Sequence, residues 1–195
     1  MPIETVTPAA SDILTLAEAK AHLIVQHTED NDYITRLITT ATKVVQDRLN
    51  RQLINATLRL WLDRFPCGSD PLELRRPKVQ SITEIKYVAG DGTLTTWDPA
   101  NYASDLVSEP ARILPVYGTG WPSTRPQMNA VQVKFVAGYG TSPSDVPETI
   151  RQAALLLIGH WYLNREAVIT GTISTEVQQT VEALLSAESW GGYVA

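Results

Sequence analysis

The spacing of apolar residues changes period twice along this chain, and that double change restricts its fold more than any other feature. Leu16, Ala19 and Leu23, then Ile34, Leu37, Ile38, Ala41, Val44, Val45 and Leu49, recur at three- and four-residue intervals, as helices with one buried face require. From Leu53 the interval drops to two: Leu58, Leu60 and Leu62 alternate with Arg59, Trp61 and Asp63, and Leu72 and Leu74 with Glu73 and Arg75, the pattern of half-buried strands. Beyond Asp145 the helical interval returns in Ile150, Ala153, Ala154, Leu157, Ile158 and Trp161, and again in Val177, Val181, Leu184 and Leu185. Helices at both ends with strands between them predict an α+β fold. Residues 14–50 and 145–188 form a helical bundle closed by the two chain ends, and a mainly antiparallel β unit is inserted at 51–144. Residues 1–13 are expected to be a flexible N-terminus and 189–195 a C-terminal tail.

Local signals sharpen the boundaries. Thr15 followed by Glu18 has the spacing of a capping box and opens a helix over about 16–25. The acidic run Glu29-Asp30-Asn31-Asp32 suits the positive end of a second helix, which should end near Asn50. Strands are expected at Val79–Val88 and Leu94–Trp97, joined through the Gly90-Asp91-Gly92 turn, and at Arg112–Val116 and Val131–Val136. Asp145, Pro147 and Glu148 give a strong start signal for a third helix. Leu155, Leu156 and Leu163 make that helix apolar almost all round, which places it at the centre of the bundle. Thr175 with Gln178 opens the last helix.

Charge and cysteine content narrow the function classes. The net charge of -5 is uneven, with four Glu and no Lys or Arg from Glu166 onward. A tight DNA reader needs basic surface to displace phosphate counterions, so an acidic chain is poorly suited to that role. Cys67 is the single cysteine, so no intrachain disulfide and no cysteine-based zinc site can form within one copy, which fits a reducing compartment. No run approaches the ~20 apolar residues of a membrane span, and the first residues lack a signal-peptide pattern; no membrane association is expected.

Motifs of catalysis are missing from the sequence. His22, His27 and His160 lack the spacing that puts two imidazoles on one helical face, and His160, before Trp161 and Tyr162, reads as a packed core histidine. There is no nucleophile elbow and no phosphate loop, and Gly138-Tyr139-Gly140 reads as a sharp turn. Cys67 sits in a Pro-Cys-Gly turn without a neighbouring His, and the Asn55-Ala56-Thr57 sequon is taken as chance. No catalytic, metal or cofactor-binding residue is assigned, and no cofactor is expected. Two features point to partners. Arg75, Arg76 and Lys78 form the one basic cluster, able to meet phosphate, an acidic partner or only water. Trp190 and Tyr193 stand on a Gly-rich tail with little core of their own to enter, and aromatics are favoured interface anchors.

Several segments together resemble the head–tail connector (adaptor) family of tailed bacteriophages, in its longer form with a β insertion. The residues are Leu14 to Leu23 followed by Asp30-Asn31-Asp32-Tyr33-Ile34; Arg76 to Ile82 through Tyr87, with Asp91-Gly92 and Asp98 to Tyr102; and Gly120-Trp121-Pro122. Val131 to Phe135, Ala137 to Gly140, and Val146-Pro147 leading to the run His160 to Glu166 complete the set. The resemblance implies a structural subunit, not an enzyme. It would form a homo-oligomeric ring, twelvefold in the family, beneath the portal protein at the head–tail interface of a virion or gene transfer agent. It would extend the channel through which double-stranded DNA passes without sequence-specific binding, and receive a stopper or tail-completion protein. By the same resemblance the C-terminal segment faces the portal, with Trp190, Tyr193, Leu184 and Leu185 as its contacts. Two other classes remain as alternatives. A small carboxylate-dependent enzyme would use Asp63, Asp98 or Asp105 and would bring carboxylates together in a cleft. A standalone binding module would stay monomeric without affinity for a portal.

Overall fold

The computed structural model describes residues 2–68, 70–165 and 175–189. It divides into two compact units: residues 1–10 with 55–139, and residues 11–54 with 140–195. The chain therefore passes from one unit to the other three times.

The first unit is built of antiparallel strands. A five-stranded sheet has the order β1 (Ile3–Thr7), β2 (Ala56–Leu62), β8 (Val131–Ala137), β4 (Val79–Val88), β5 (Leu94–Thr96). A three-stranded sheet has the order β3 (Leu72–Leu74), β7 (Ala111–Pro115), β6 (Tyr102–Asp105). Register turns the two-residue alternation into a core: Leu58 stands opposite Phe135 and Leu60 opposite Val133, which is opposite Ile85. These side chains share one cluster with Leu72, Leu74, Ala111 and Ile113 of the smaller sheet. Phe65 stacks on Trp121 at 5.0 Å and meets Trp97, which meets Tyr102, so loop aromatics extend that core. The other face of the large sheet carries a charged row set by the same register, Glu4–Arg59–Lys134–Glu84. Arg59 and Lys134 are like charges directly opposed, a destabilising arrangement by itself; Glu4 at 3.6 Å and Glu84 at 3.9 Å flank the two cations and offset it.

Two turns depend on glycine. Gly92 closes the β4–β5 hairpin at a φ of 92°, with Asp91 accepting the Thr93 N–H. At Gly138, φ 142°, a Cβ would lie 2.5 Å from the Asn55 backbone nitrogen, so the close approach of two chain segments excludes a side chain there.

The second unit consists of α1 (Leu16–Leu23), α2 (Asn31–Leu49), α3 (Glu148–Leu163) and α4 (Thr175–Ser186). The Thr15–Glu18 capping box is formed in full. Both α1 and α2 end in a left-handed residue whose successor bonds back across the last turn, Ile24 for α1 and Asn50 for α2. α3 packs against all three other helices and buries Ile150, Ala153, Ala154, Leu157 and Ile158. Among the described side chains of α4, Val181 and Leu185 are buried.

Three expectations need correction. The N-terminal thirteen residues are not a free segment: Ile3–Thr7 pair with β2, and Ile13 and Leu14 are buried in the helical unit. The five residues Ile3-Glu4-Thr5-Val6-Thr7 are too few, and alternate too poorly, to stand out as a strand until a partner edge supplies their hydrogen bonds. The third helix begins at Glu148 rather than Asp145, because the Asp145 carboxylate accepts the Ser142 N–H and closes a short turn of its own before Pro147. α3 is also not enclosed all round, since Leu155 and Leu156 are half-buried and Leu163 is 81% exposed.

Candidate functional site

The carboxylates of the enzyme alternative are each engaged in a structural contact. Asp63 accepts the Asn129 N–H at 2.8 Å, and Asp98 caps the short turn Pro99–Asn101 through the Ala100 N–H. Asp105 gathers the Ser108 hydroxyl, the Arg112 guanidinium and the N–H groups of Ser108 and Val107. Those bonds hold its carboxyl well below the usual range, which leaves a fixed anion that cannot exchange a proton near neutrality. Among the described residues no group of three His, Cys, Asp or Glu side chains could hold a metal ion, and no helix is long and apolar enough to cross a membrane.

The partner candidates are placed as follows. Arg75 pairs with Glu73 at 3.0 Å, and Lys78 lies over the Tyr139 ring at 5.8 Å. Arg76 is half-buried with one guanidinium nitrogen enclosed and without a bonding partner. The three basic side chains therefore have separate surroundings, and Arg75 and Lys78 are the exposed ones. Cys67 is an exposed thiol beside Phe65 and Pro66. In α4, Leu185 is 4% exposed and so holds the helix in the bundle, while Leu184 is half-buried. Trp190 and Tyr193 lie outside the described residues.

Sequence reasoning missed a polar cluster in the helical unit. Asp30, at the start of α2, makes no capping bond to its own helix. Its Oδ2 instead accepts the Tyr162 hydroxyl at 2.5 Å and Arg165 Nη2 at 3.0 Å, with His27 Nε2 at 3.8 Å. The Arg165 guanidinium lies 4.7 Å from the Tyr33 ring and 5.2 Å from that of Tyr162, and Tyr33 donates to the Trp161 carbonyl. The Tyr162 hydrogen bond lowers the Asp30 carboxyl below its ordinary value; desolvation opposes it, and the Arg165 charge and hydrogen bond add to the lowering. The cluster ties the end of α3 to the start of α2. Its one sequence signal is the Tyr162–Arg165 spacing of one helical turn, which says nothing of a partner more than 130 residues away.

Among the described residues of the helical unit, two large apolar side chains are left in solvent, Ile24 at 85% exposure and Leu163 at 81%. In the β unit Leu94, Leu114, Val107, Tyr117 and Met128 are likewise exposed. Charge divides along the same unit boundary. The β unit holds nine Lys or Arg against nine Asp or Glu, and the helical unit seven against twelve, so the whole net charge belongs to the helices.

The family model for Head completion protein matches residues 12–183 of this chain. The fold is similar to three solved chains, each 22% identical to it. One from the neck of an empty gene transfer agent particle, computed with C6 symmetry, has a TM-score of 0.78, covering 100% of this chain and 98% of that one. A chain of a native gene transfer agent virion has a TM-score of 0.75, with 94% and 95% covered. A third, from the neck of a native particle computed with C12 symmetry, has a TM-score of 0.71, with 94% of each chain covered. No curated protein matches the sequence.

Proposed function

The chain belongs to the head completion protein family, and from that premise we propose that it is a structural head–tail connector subunit. It assembles as a ring beneath the portal, extends the DNA channel, and joins the head to the stopper or tail. The observation that carries this reading is the span of the family match, 12–183, which takes in most of both units and the two junctions at 54–55 and 139–140. A fold shared from end to end with chains of gene transfer agent necks supports it, one of those necks having been computed with C12 symmetry. On this reading twelve copies surround the channel, at the head–tail interface of a virion or phage-like particle, and the work is done by surfaces rather than by a catalytic centre.

The electrostatics fit a conduit. A channel wall that bound DNA tightly would release counterions and hold the strand, whereas acidic surface repels the phosphates and lets it slide. The helical unit, with its excess of five acidic residues, supplies that surface. Trp190 and Tyr193 act as portal anchors: two aromatics following α4 offer large contact area for few rotatable bonds. Arg75 and Lys78 are the contacts for an acidic partner or for phosphate.

The experiment is to mix the full-length protein with the portal from the same genome and image the mixture by electron microscopy. The connector reading expects a second ring stacked on the portal. Free protein beside bare portals, over a range of salt, would overturn it in favour of a standalone binding module.

A further inference from the structure

We propose that Arg76 and Lys78 of one copy dock onto the outward side of α4 of a second copy; the inference rests on the ring reading above and names the partner of its basic contact. Residues 74–83 carry three cations and no carboxylate. Arg75 is answered within the chain by Glu73, 3.0 Å away. The other two are not. Lys78 is exposed, and it meets the face of the Tyr139 ring at 5.8 Å, which attracts a cation but leaves its charge in place. Arg76 is half-buried, has no ion-pair partner among the described residues, and encloses one guanidinium nitrogen without a hydrogen-bond acceptor. A cation partly withdrawn from water and left uncompensated is unfavourable, and a carboxylate brought by a partner to the exposed remainder of the group offsets that.

The backbone that carries these two cations is fixed. Pro77 between them is buried, the Lys78 carbonyl accepts the Gly138 N–H at 2.8 Å, and Gln80 donates to the Gly138 carbonyl at 2.7 Å. Binding therefore orders side chains rather than a loop, which keeps its entropic cost low.

Charge identifies the occupant. The helical unit of every copy has an excess of five acidic residues, and the chain from Glu166 onward, α4 included, has four Glu and no Lys or Arg. Two helical units repel each other, whereas a helical unit and a neighbour's basic segment attract. α4 turns Val181 and Leu185 inward. On its outward side Glu182 is 68% exposed, with Arg48 at 4.0 Å, the far limit of an ion pair. Ala183 and Ser186 beside it are exposed and small, so another chain can come close. A closed ring needs two different patches, each contributed by every copy and complementary to the other; the basic segment and α4 are such a pair. Tight DNA binding would ask for a broad basic surface, and the β unit as a whole is neutral.

The test uses full-length Lys78→Glu, Glu182→Lys and Arg76→Gln, each checked for a native melting temperature, with sedimentation velocity across salt and electron microscopy with the portal. Lys78→Glu alone and Glu182→Lys alone should close rings about tenfold less readily or worse, because each sets like charges against one another. Their equimolar mixture should regain rings, since with the two variants alternating every contact again joins unlike charges. Arg76→Gln should weaken closure, and Lys78→Gln, milder on the fold, should lose it to a smaller degree than Lys78→Glu. Native rings should loosen as salt rises. Variants that close rings like the native chain would overturn the contact while leaving the ring reading intact, and so would a mixture that stays unassembled. Intact Lys78→Glu rings with weaker DNA binding in a gel-shift assay would overturn it by assigning the cations to phosphate. A native protein that forms no ring with the portal in any of these settings would remove both readings together.

Discussion

At Asp30 a carboxylate at the start of a helix is turned away from that helix. Its charge still lies at the positive end of the α2 dipole, but its hydrogen bonds go to Tyr162 and Arg165. Because these bonds lower its folded value, the stability it contributes is fully present above the ordinary Asp value of about 3.9 and is lost as pH falls through the lower folded value. Melting curves of the native chain and Asp30→Asn, compared from neutral to acid pH, should therefore differ most near neutrality and converge in acid; a constant difference would refute the assignment. Ile24 gives the opposite sign: Ile24→Gly should stabilise the dilute protein by about 1 kcal/mol, read by urea denaturation, since the left-handed conformation costs a branched residue about 1–2 kcal/mol. The acidic start at Glu29–Asp32 was legible as a helix signal. The partners of Asp30 were not, because a side chain at the head of a helix has several acceptable acceptors and donors, and only the antiparallel run of α2 beside α3 selects among them.

Among elements, α1 is the shortest of the four helices and relies on its cap. Both halves of the Thr15–Glu18 box are formed, and Glu18 also pairs with Arg151 of α3. Thr15→Ala should thus destabilise the protein by about 1 kcal/mol, measured by chemical denaturation, with the loss appearing first as faster amide exchange in residues 16–23. Strand β1 reads in the sequence as a flexible end because five residues carry little periodic signal and its antiparallel partners lie fifty or more residues away. Deleting residues 1–8 should expose the β2 edge, lower the stability of the β unit, and raise aggregation in light scattering, as unpaired edges do. In the middle of the sheet Phe135 is fully buried, and Phe135→Ala should cost about 3–5 kcal/mol, enough to unfold a marginal domain.

For the whole molecule, the proposed role makes a separable prediction. Trp190→Ala with Tyr193→Ala should abolish docking to the portal in a pull-down while leaving the melting temperature unchanged, and unchanged docking would place the portal contact elsewhere. The chain by itself determined the α+β class, the insertion of strands between two helical pairs, and most helix and strand positions, since each follows from a local period of 3.6 or 2 and from caps and turns within a few residues. Tertiary structure alone decided what depends on distant pairing. It placed β1 on β2, and it divided the eight strands into a five-stranded and a three-stranded sheet. It buried Leu185 while leaving Leu163 in solvent, although the two have the same hydropathy. Periodicity reports which residues share a face, but the presence or absence of a neighbouring element decides whether that face is covered. The Ile24 backbone follows the same rule: Ile-Val after Leu23 reads as an apolar continuation of α1, and only the folded chain shows a helix already closed, with its terminal apolar side chain left outside.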